Sequence, residues 1–158
     1  MAQDRRVDAS GDVVLQRVDG RLQLFETDAP YGTCLNIDDV RRRIRQGRKL
    51  SLAKACAARS GLQVLDAMAG FGLDGITLAA LGCNVVMVER DPLLFALLED
   101  ALARARVELA LPGDVECHEG DVNEVLHLGR TFDTVYLDPM FPPREKHALP
   151  RRSAQLLT

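Results

Sequence analysis

The sequence lacks tryptophan, is only 4% aromatic and contains four cysteines among its 158 residues. The cysteines form no C-x-x-C pair and have no histidine at metal-ligand spacing, so we interpret them as reduced, buried residues and expect no metal site. No apolar run approaches the roughly 18 residues of a membrane helix, and the first twelve residues are polar and charged, unlike a secretory signal. These absences predict a cytoplasmic protein with no membrane partner.

Apolar residues make up 47% of the chain, which is the share and length of one ordinary domain with a single buried core. The net charge of −3 conceals an uneven distribution. Residues 41–54 hold seven basic and no acidic residues, residues 55–140 hold five basic and fourteen acidic residues, and the last eighteen residues are basic again. A basic segment indicates a polyanionic partner such as RNA, although a solvated helix face has the same composition.

The first 60 residues predict a hairpin followed by short helices. Apolar and polar residues alternate on both sides of Asp19-Gly20, a dipeptide that readily takes two positive φ angles, so we expect a β-hairpin over residues 13–25. A short basic helix capped by Asp38 or Asp39 should follow, and Ser51 should cap a second helix over residues 52–59. We treat residues 1–60 as one domain, the hairpin and basic helical segment.

From residue 61 onward, short apolar runs alternate with helical periods. This pattern predicts a parallel β-sheet with crossover helices, and therefore an α/β fold. We treat residues 61–158 as the second domain, a Rossmann-like core. The predicted strands cover residues 62–67, 84–89, 115–118 and 134–138.

Asp66 ends the first of these strands and precedes a glycine-rich loop that fits G-x-G-x-x-G. Such a loop lets the backbone approach a ligand closely and points the next helix N-terminus at it, which suits the pyrophosphate of a dinucleotide. An acid before the glycines instead favours a ligand with an ammonium group, such as the methionine moiety of S-adenosylmethionine. The alternative is a tight turn that Asp66 merely caps.

Two further acids end the neighbouring strands. Glu89, followed by Arg90, can accept both hydroxyls of a ribose, whether the nucleoside is NAD or S-adenosylmethionine. Asp121, after the third strand, is placed to bind an adenine amino group, although an acidic turn explains it nearly as well.

The fourth strand runs into Asp138-Pro139-Met140-Phe141. This stretch looks like the D/N-P-P-F/Y tetrapeptide of methyltransferases that act on exocyclic amino nitrogens. In that motif a side-chain oxygen and a backbone carbonyl hold the amino hydrogens while the aromatic ring stacks on the base. The rate then comes from positioning more than from a strong base. Met140 replaces the second proline, and a strand-ending Asp-Pro turn is the alternative.

Taken together, these stretches resemble the RsmJ family of 16S ribosomal RNA (guanine-N2)-methyltransferases, in which Met140 is the usual residue. The similarity runs from the hairpin to the last residue. It is carried by Arg41-Arg42-Arg43 with Gly47-Arg48, Leu65-Asp66-Ala67 with Ala69-Gly70 and Gly72, Leu81-Gly82-Cys83, Glu89-Arg90 with Pro92, and Tyr136 to Pro142 followed by Lys146, Ala148 and Leu149.

The resemblance implies a class I fold, whose sheet has the strand order 3-2-1-4-5-7-6. It also implies transfer of a methyl group from S-adenosylmethionine to the 2-amino group of a guanosine in 16S ribosomal RNA or the small ribosomal subunit. Together with the residues singled out above, the expected cofactor residues are Asp66, Ala67, Gly70, Phe71, Gly72, Glu89, Arg90, Asp121 and Asp138. The target base is assigned to Asp138, Pro139, Met140 and Phe141, and the RNA to Arg41, Arg42, Arg43, Arg48 and Lys146.

RsmJ proteins continue well beyond Leu149, whereas this sequence ends at Thr158, so it is either a short homologue or a fragment of a longer protein. We therefore expect the C-terminal strands of the family to be absent and the fourth strand to have an unpaired edge. We expect the hairpin or a second copy of the chain to cover that edge, the latter by self-association. Cofactor binding should survive, with weak methylation of RNA.

Two other functions remain alternatives to the enzyme. One is a protein that binds cofactor and RNA with little or no turnover. The other is an NAD-dependent oxidoreductase, which Asp66 and the lack of any candidate for hydride chemistry disfavour.

Overall fold

The computed structural model describes residues 6–7, 13–27 and 29–138. Its N-terminal part is a three-stranded antiparallel sheet of β1 (Arg6–Val7), β2 (Val13–Val18) and β3 (Arg21–Glu26). Asp19 and Gly20 take φ angles of 49° and 77°, as a tight hairpin turn requires. The predicted hairpin is confirmed.

Two short helices follow, and their beginnings differ from the prediction. Asn36 caps α1 (Ile37–Ile44), because its side-chain oxygen accepts a hydrogen bond from the Asp38 N–H at 3.0 Å. Asp38 and Asp39 instead lie in the first turn of α1, where negative charge is favourable. Ser51 is the first residue of α2 (Ser51–Ala55) and its side chain caps nothing. This helix ends four residues earlier than predicted, just before Ala57 takes a φ of 51°.

The remaining strands form one parallel sheet with the order β6-β5-β4-β7, which confirms the predicted α/β fold and strand order. Asp66, the last residue of β4, lies between Met87 on β5 and Tyr136 on β7. The strands are β4 (Gln63–Asp66), β5 (Asn84–Glu89), β6 (Val115–Glu119) and β7 (Thr134–Tyr136). The helices are α3 (Leu73–Ala80), α4 (Pro92–Glu108) and α5 (Val122–His127).

The two central strands, β4 and β5, are covered on both faces. Val64 and Met87 belong to the main core, which contains α3 and α4, while Leu65 and Val88 pack with Val125 of α5 on the opposite face. This explains why these strands read as nearly continuous apolar runs rather than as alternating ones. No helix of the described residues combines the length and the apolar character needed to cross a membrane.

The hairpin packs on α4 and not on β7. Leu15 and Leu24 of the hairpin form a small core with Leu94 and Leu97 of α4. The expectation that the hairpin covers the edge of the fourth strand is therefore wrong. The reason is that the apolar face of β2 and β3 is already buried by the first half of α4.

Candidate cofactor and base-binding site

Three of the predicted acids meet at one edge of the sheet. Asp66 ends β4, Glu89 ends the neighbouring β5, and Asp138 comes two residues after β7 on the other side of β4. Since the strands are parallel, their carboxyl ends lie at the same edge, which is where ligands bind in open α/β sheets.

The glycine loop between β4 and α3 is tight at one glycine and open at the other. Gly72 has a φ of 81° and caps α3, and an added Cβ would lie 2.5 Å from the Leu98 side chain of α4. Gly70 has a φ of 53°, and an added Cβ would meet nothing within 4 Å. The loop is thus packed against α4 at Gly72, while the backbone at Gly70 is accessible to a ligand.

Glu89 is oriented by backbone amides on both of its carboxylate oxygens. Oε2 accepts a hydrogen bond from the Gly70 N–H at 2.9 Å, and Oε1 accepts one from the Asp91 N–H at 2.9 Å. The side chain is buried, at 8% exposure. Each oxygen keeps a second acceptor position, so the carboxylate can still accept two ribose hydroxyls. The sequence did not indicate that Glu89 also holds the glycine loop.

Asp66 is a buried acid, and neither of its side-chain oxygens has a hydrogen-bond partner of ordinary geometry in the described part of the chain. Burial raises its pKa to about 7, the nearby charges of Asp74 and Asp138 act in the same direction, and the amides of Met68 and Gly75 oppose them. An acceptor of this kind fits a cationic donor such as the ammonium of S-adenosylmethionine. Direct contact would require the overlying loop to part, because the side chain is only 1% exposed.

Asp138 is exposed at the carboxyl end of β7. The chain reaches it from Tyr136, whose backbone carbonyl accepts a hydrogen bond from the Ala67 N–H at 3.0 Å. The other predicted base-binding residues, Pro139, Met140 and Phe141, lie outside the described residues, as does Lys146.

The remaining cofactor candidates have different surroundings. Asp121 caps α5, with Oδ1 accepting hydrogen bonds from the backbone N–H and the side-chain amide of Asn123 at 2.8 and 2.7 Å. Phe71 packs between the main core and the hairpin cluster. Ala67 is buried, and Arg90 is exposed. The adenine contact of Asp121 stays a prediction.

The structure adds two side chains, Tyr136 and Asp74, to which the sequence assigned no role. The Tyr136 hydroxyl donates a hydrogen bond to Oδ2 of Asp74 at 2.7 Å, and Arg43 forms an ion pair with the other oxygen of Asp74. Burial and the Asp74 carboxylate raise the pKa of Tyr136, so it remains a donor at neutral pH. Asp74 lies within the glycine-rich stretch, but its spacing alone gives no signal of this contact.

The three consecutive arginines of the basic helix α1 form ion pairs with four different acids. Arg41 pairs with Asp38 at 2.8 Å and with Glu108 at 3.3 Å. Arg42, the most exposed of the three, pairs with Asp39 of its own helix, and Arg43 reaches Asp74 as described above. Arg48 is exposed. Contact of these residues with RNA stays a prediction.

No group of three or more His, Cys, Asp or Glu side chains in residues 6–7, 13–27 and 29–138 is arranged to hold a metal ion.

The fold is that of methyltransferases that use S-adenosylmethionine. Residues 4–158 match the sequence profile of a family described as "Putative SAM-dependent methyltransferase". The chain belongs to this family, and S-adenosylmethionine is the family's cofactor. A SAM-dependent methyltransferase from Neisseria gonorrhoeae has a similar structure, with a TM-score of 0.61 and 28% identity over 78% of this chain and 55% of that one.

Curated relatives are named ribosomal RNA small subunit methyltransferase J, which confirms the resemblance to RsmJ. The protein from Shewanella sediminis is 41% identical over 85% of this chain and 57% of its own length. The protein from Tolumonas auensis is 43% identical over 85% of this chain and 59% of its own length. The chain therefore spans somewhat more than half the length of these relatives.

Proposed function

We propose that this chain transfers a methyl group from S-adenosylmethionine to the exocyclic N2 of a guanosine in small-subunit (16S) ribosomal RNA. The observation that carries the proposal is the meeting of Asp66, Glu89 and Asp138 at one sheet edge, beside a glycine loop whose backbone is accessible at Gly70. The names of the relatives support ribosomal RNA as the substrate. The Asp138-Pro139-Met140-Phe141 stretch supports an amino nitrogen as the acceptor.

Each residue has a defined task in this proposal. Glu89, already held by two amides, accepts the ribose hydroxyls, and Asp66 supplies the negative charge that balances the methionine ammonium. The sulfonium of the bound cofactor supplies an electrophilic methyl group. Asp138 accepts hydrogen bonds from the target amino group and so orients the nitrogen lone pair. Catalysis then consists mainly of alignment, which can supply several kcal/mol of the barrier.

We expect the partner to be the small-subunit RNA, free or assembled, and the compartment to be the cytoplasm, where such RNA is made. The ribosomal names of the relatives support this expectation.

One observation favours a second function, namely binding of cofactor and RNA with little turnover. Asp138 is exposed, and within the described residues β7 pairs with β4 alone. Glu89 and the glycine loop, in contrast, are fixed by contacts within the described residues. The cofactor side is therefore held by direct contacts to Glu89, whereas Asp138 itself is exposed.

The test is transfer of a labelled methyl group to small-subunit RNA, followed by mass spectrometry of the product nucleosides. We expect N2-methylguanosine with the wild-type chain and at least a hundredfold less with Asp138→Ala. Binding of S-adenosylmethionine without transfer would select the second function. Neither binding nor transfer, or methylation of a different atom, would refute the proposal.

A further inference from the structure

A polar cluster of Arg43, Asp74 and Tyr136 connects three distant parts of the chain at the site. Arg43 belongs to the basic helix α1, Asp74 to the first turn of α3, and Tyr136 is the last residue of β7. Asp74 is contacted on both carboxylate oxygens, by Arg43 on Oδ1 and by the Tyr136 hydroxyl on Oδ2 at 2.7 Å. The cluster is only partly buried, with side-chain exposures of 31% for Arg43 and 20% for Asp74.

The cluster ties the end of β7 to the loop that holds the cofactor. Asp74 comes two residues after Gly72, at the start of the helix that the glycine loop leads into. Tyr136 is also held through its backbone, because its carbonyl accepts a hydrogen bond from the Ala67 N–H at 3.0 Å. The strand end is thus fixed at two points, one on the backbone of Ala67 directly after β4 and one on α3, and Asp138 follows two residues later.

We propose that Asp74 and Tyr136, with Arg43 holding Asp74 in place, are positioning residues for methyl transfer. They fix the direction in which the chain leaves β7, and therefore the location of Asp138 relative to the cofactor. This inference rests on the proposed function. It also gives Arg43 a role within the protein in place of a contact with RNA phosphates.

The pairing of β7 with β4 does not depend on this cluster. The two strands are in register over three residue pairs, from Val64 opposite Thr134 to Asp66 opposite Tyr136. At the other end of β7, the Thr134 hydroxyl donates a hydrogen bond to the Cys56 carbonyl at 3.2 Å. Loss of one partly exposed hydroxyl should therefore leave the fold intact. A misplacement of about 1 Å at a reacting centre can nevertheless cost on the order of a hundredfold in rate.

Tyr136→Phe is the sharpest test, because it removes the hydroxyl and keeps the ring. Tyr31 is the other tyrosine of the chain, is 81% exposed, and provides a matched control as Tyr31→Phe. The measurements are the transfer rate at saturating cofactor, KM for small-subunit RNA, the dissociation constant for S-adenosylmethionine by calorimetry, and the melting temperature. Asp74→Asn, Arg43→Gln and Arg43→Lys complete the series.

We expect Tyr136→Phe and Asp74→Asn to lower kcat at least tenfold, while KM and the cofactor dissociation constant change less than about threefold. Arg43→Gln should lower kcat by a smaller factor that Arg43→Lys partly restores, and Tyr31→Phe should match the wild type. Amide hydrogen exchange over residues 134–138 should be faster in Tyr136→Phe than in Tyr31→Phe.

Three results would overturn the inference, and they can be told apart from failure of the proposed function. An unchanged kcat in Tyr136→Phe, beside an active wild type, would refute the positioning role alone. A parallel loss of kcat, cofactor affinity and melting temperature would make the cluster merely structural. A wild-type chain that transfers no methyl group would refute the proposed function and this inference together.

Discussion

The carboxyl edge of the parallel sheet has two halves, which are held by different contacts. The cofactor half consists of the ends of β4 and β5 with the glycine loop, and the target half consists of the end of β7 with Asp138. On the cofactor half, β4 and β5 are buried on both faces, and Glu89 and the glycine loop are joined by a 2.9 Å hydrogen bond from the Gly70 amide. On the target half, β7 has only three residues, and Val135 in its middle is 50% exposed. This strand is joined to the cofactor half by its backbone pairing with β4 and by the hydrogen bond from the Tyr136 hydroxyl to Asp74.

The difference teaches that cofactor binding and catalysis need not fail together. A site built between buried strands is supported by close packing of those strands. A site at a sheet margin depends on a few polar contacts, each of small energy and large geometric effect. Substitutions in the cofactor half should therefore change the affinity for S-adenosylmethionine, whereas substitutions in the target half should change the rate of methyl transfer.

Asp138→Ala should give the largest effect and confine it to the target half. Transfer should fall by two or more orders of magnitude while the dissociation constant of S-adenosylmethionine stays nearly unchanged, because the proposed contacts of Asp138 are made to the substrate amine. Single-turnover transfer and calorimetry on the same preparation measure both quantities. Equal losses in both would show that Asp138 shapes the cofactor site and would remove the distinction between the halves.

The pH dependence of folding stability should show the titration of Asp66, the buried acid of the cofactor half. The pKa of Asp66 rises from 3.8 to about 7 on folding, so between these values the native state holds a proton that the unfolded state has lost. The contribution of Asp66 to stability without cofactor should therefore be fully present below pH 4 and be lost as pH rises through 7, by up to roughly 4 kcal/mol. Asp66→Asn should remove this component. Denaturant unfolding from pH 4 to 8 measures it, and parallel curves for the two proteins would show that Asp66 does not titrate in this way.

The two glycines of the loop should respond differently to alanine. Gly72→Ala combines a left-handed backbone with a contact against buried Leu98, so it should cost about 2–4 kcal/mol of folding stability. The added Cβ of Gly70→Ala meets open space, so this variant should lose only about 1 kcal/mol of folding stability, because of its left-handed backbone. It should nevertheless weaken cofactor binding, because the methyl group occupies space on the side where the ligand binds. Thermal unfolding with and without S-adenosylmethionine compares them. Equal melting temperatures would contradict the packing described for Gly72.

The smallest effect concerns the basic helix, outside both halves. If the side chains of residues 41–43 all contact RNA phosphates, replacing them together with glutamine should flatten the log–log salt dependence of RNA affinity by roughly 2. Since Arg43 is paired with Asp74, we expect Arg42→Gln to change the slope more than Arg43→Gln. Filter binding at several salt concentrations measures the slopes. Unchanged slope and affinity in the triple variant would leave these arginines as a solvated face.

Sequence patterns predicted the parts of the fold that depend on local rules. The Asp19-Gly20 turn and the buried strands β4 and β5 follow from turn chemistry and apolar periodicity, whereas the sheet order came from the family resemblance. Helix boundaries were less predictable, because Asn36 competes with Asp38 and Asp39 for the cap of α1. The expectation that the hairpin covers β7 was wrong because the hairpin packs on α4. An alternating pattern shows that a strand has an apolar face but does not show which element covers that face.

The candidate site shows the same division. Acids that end strands could be placed at one edge from the topology alone, and they are found there. The hydrogen bond between Glu89 and Gly70 and the cluster around Asp74 join residues far apart in sequence, so no local spacing encodes them.

Calorimetric titration of the 158-residue chain with S-adenosylmethionine, and with NAD as a competitor, tests the central claim most directly. That claim is that the β4–β5 edge binds S-adenosylmethionine through Glu89, the glycine loop and Asp66. We expect one saturable site for S-adenosylmethionine, no comparable site for NAD, and a loss of about 1.5–3 kcal/mol of binding free energy in a folded Asp66→Ala variant. No binding of S-adenosylmethionine by the folded wild-type chain, equal binding of NAD, or an unchanged dissociation constant in Asp66→Ala would contradict it.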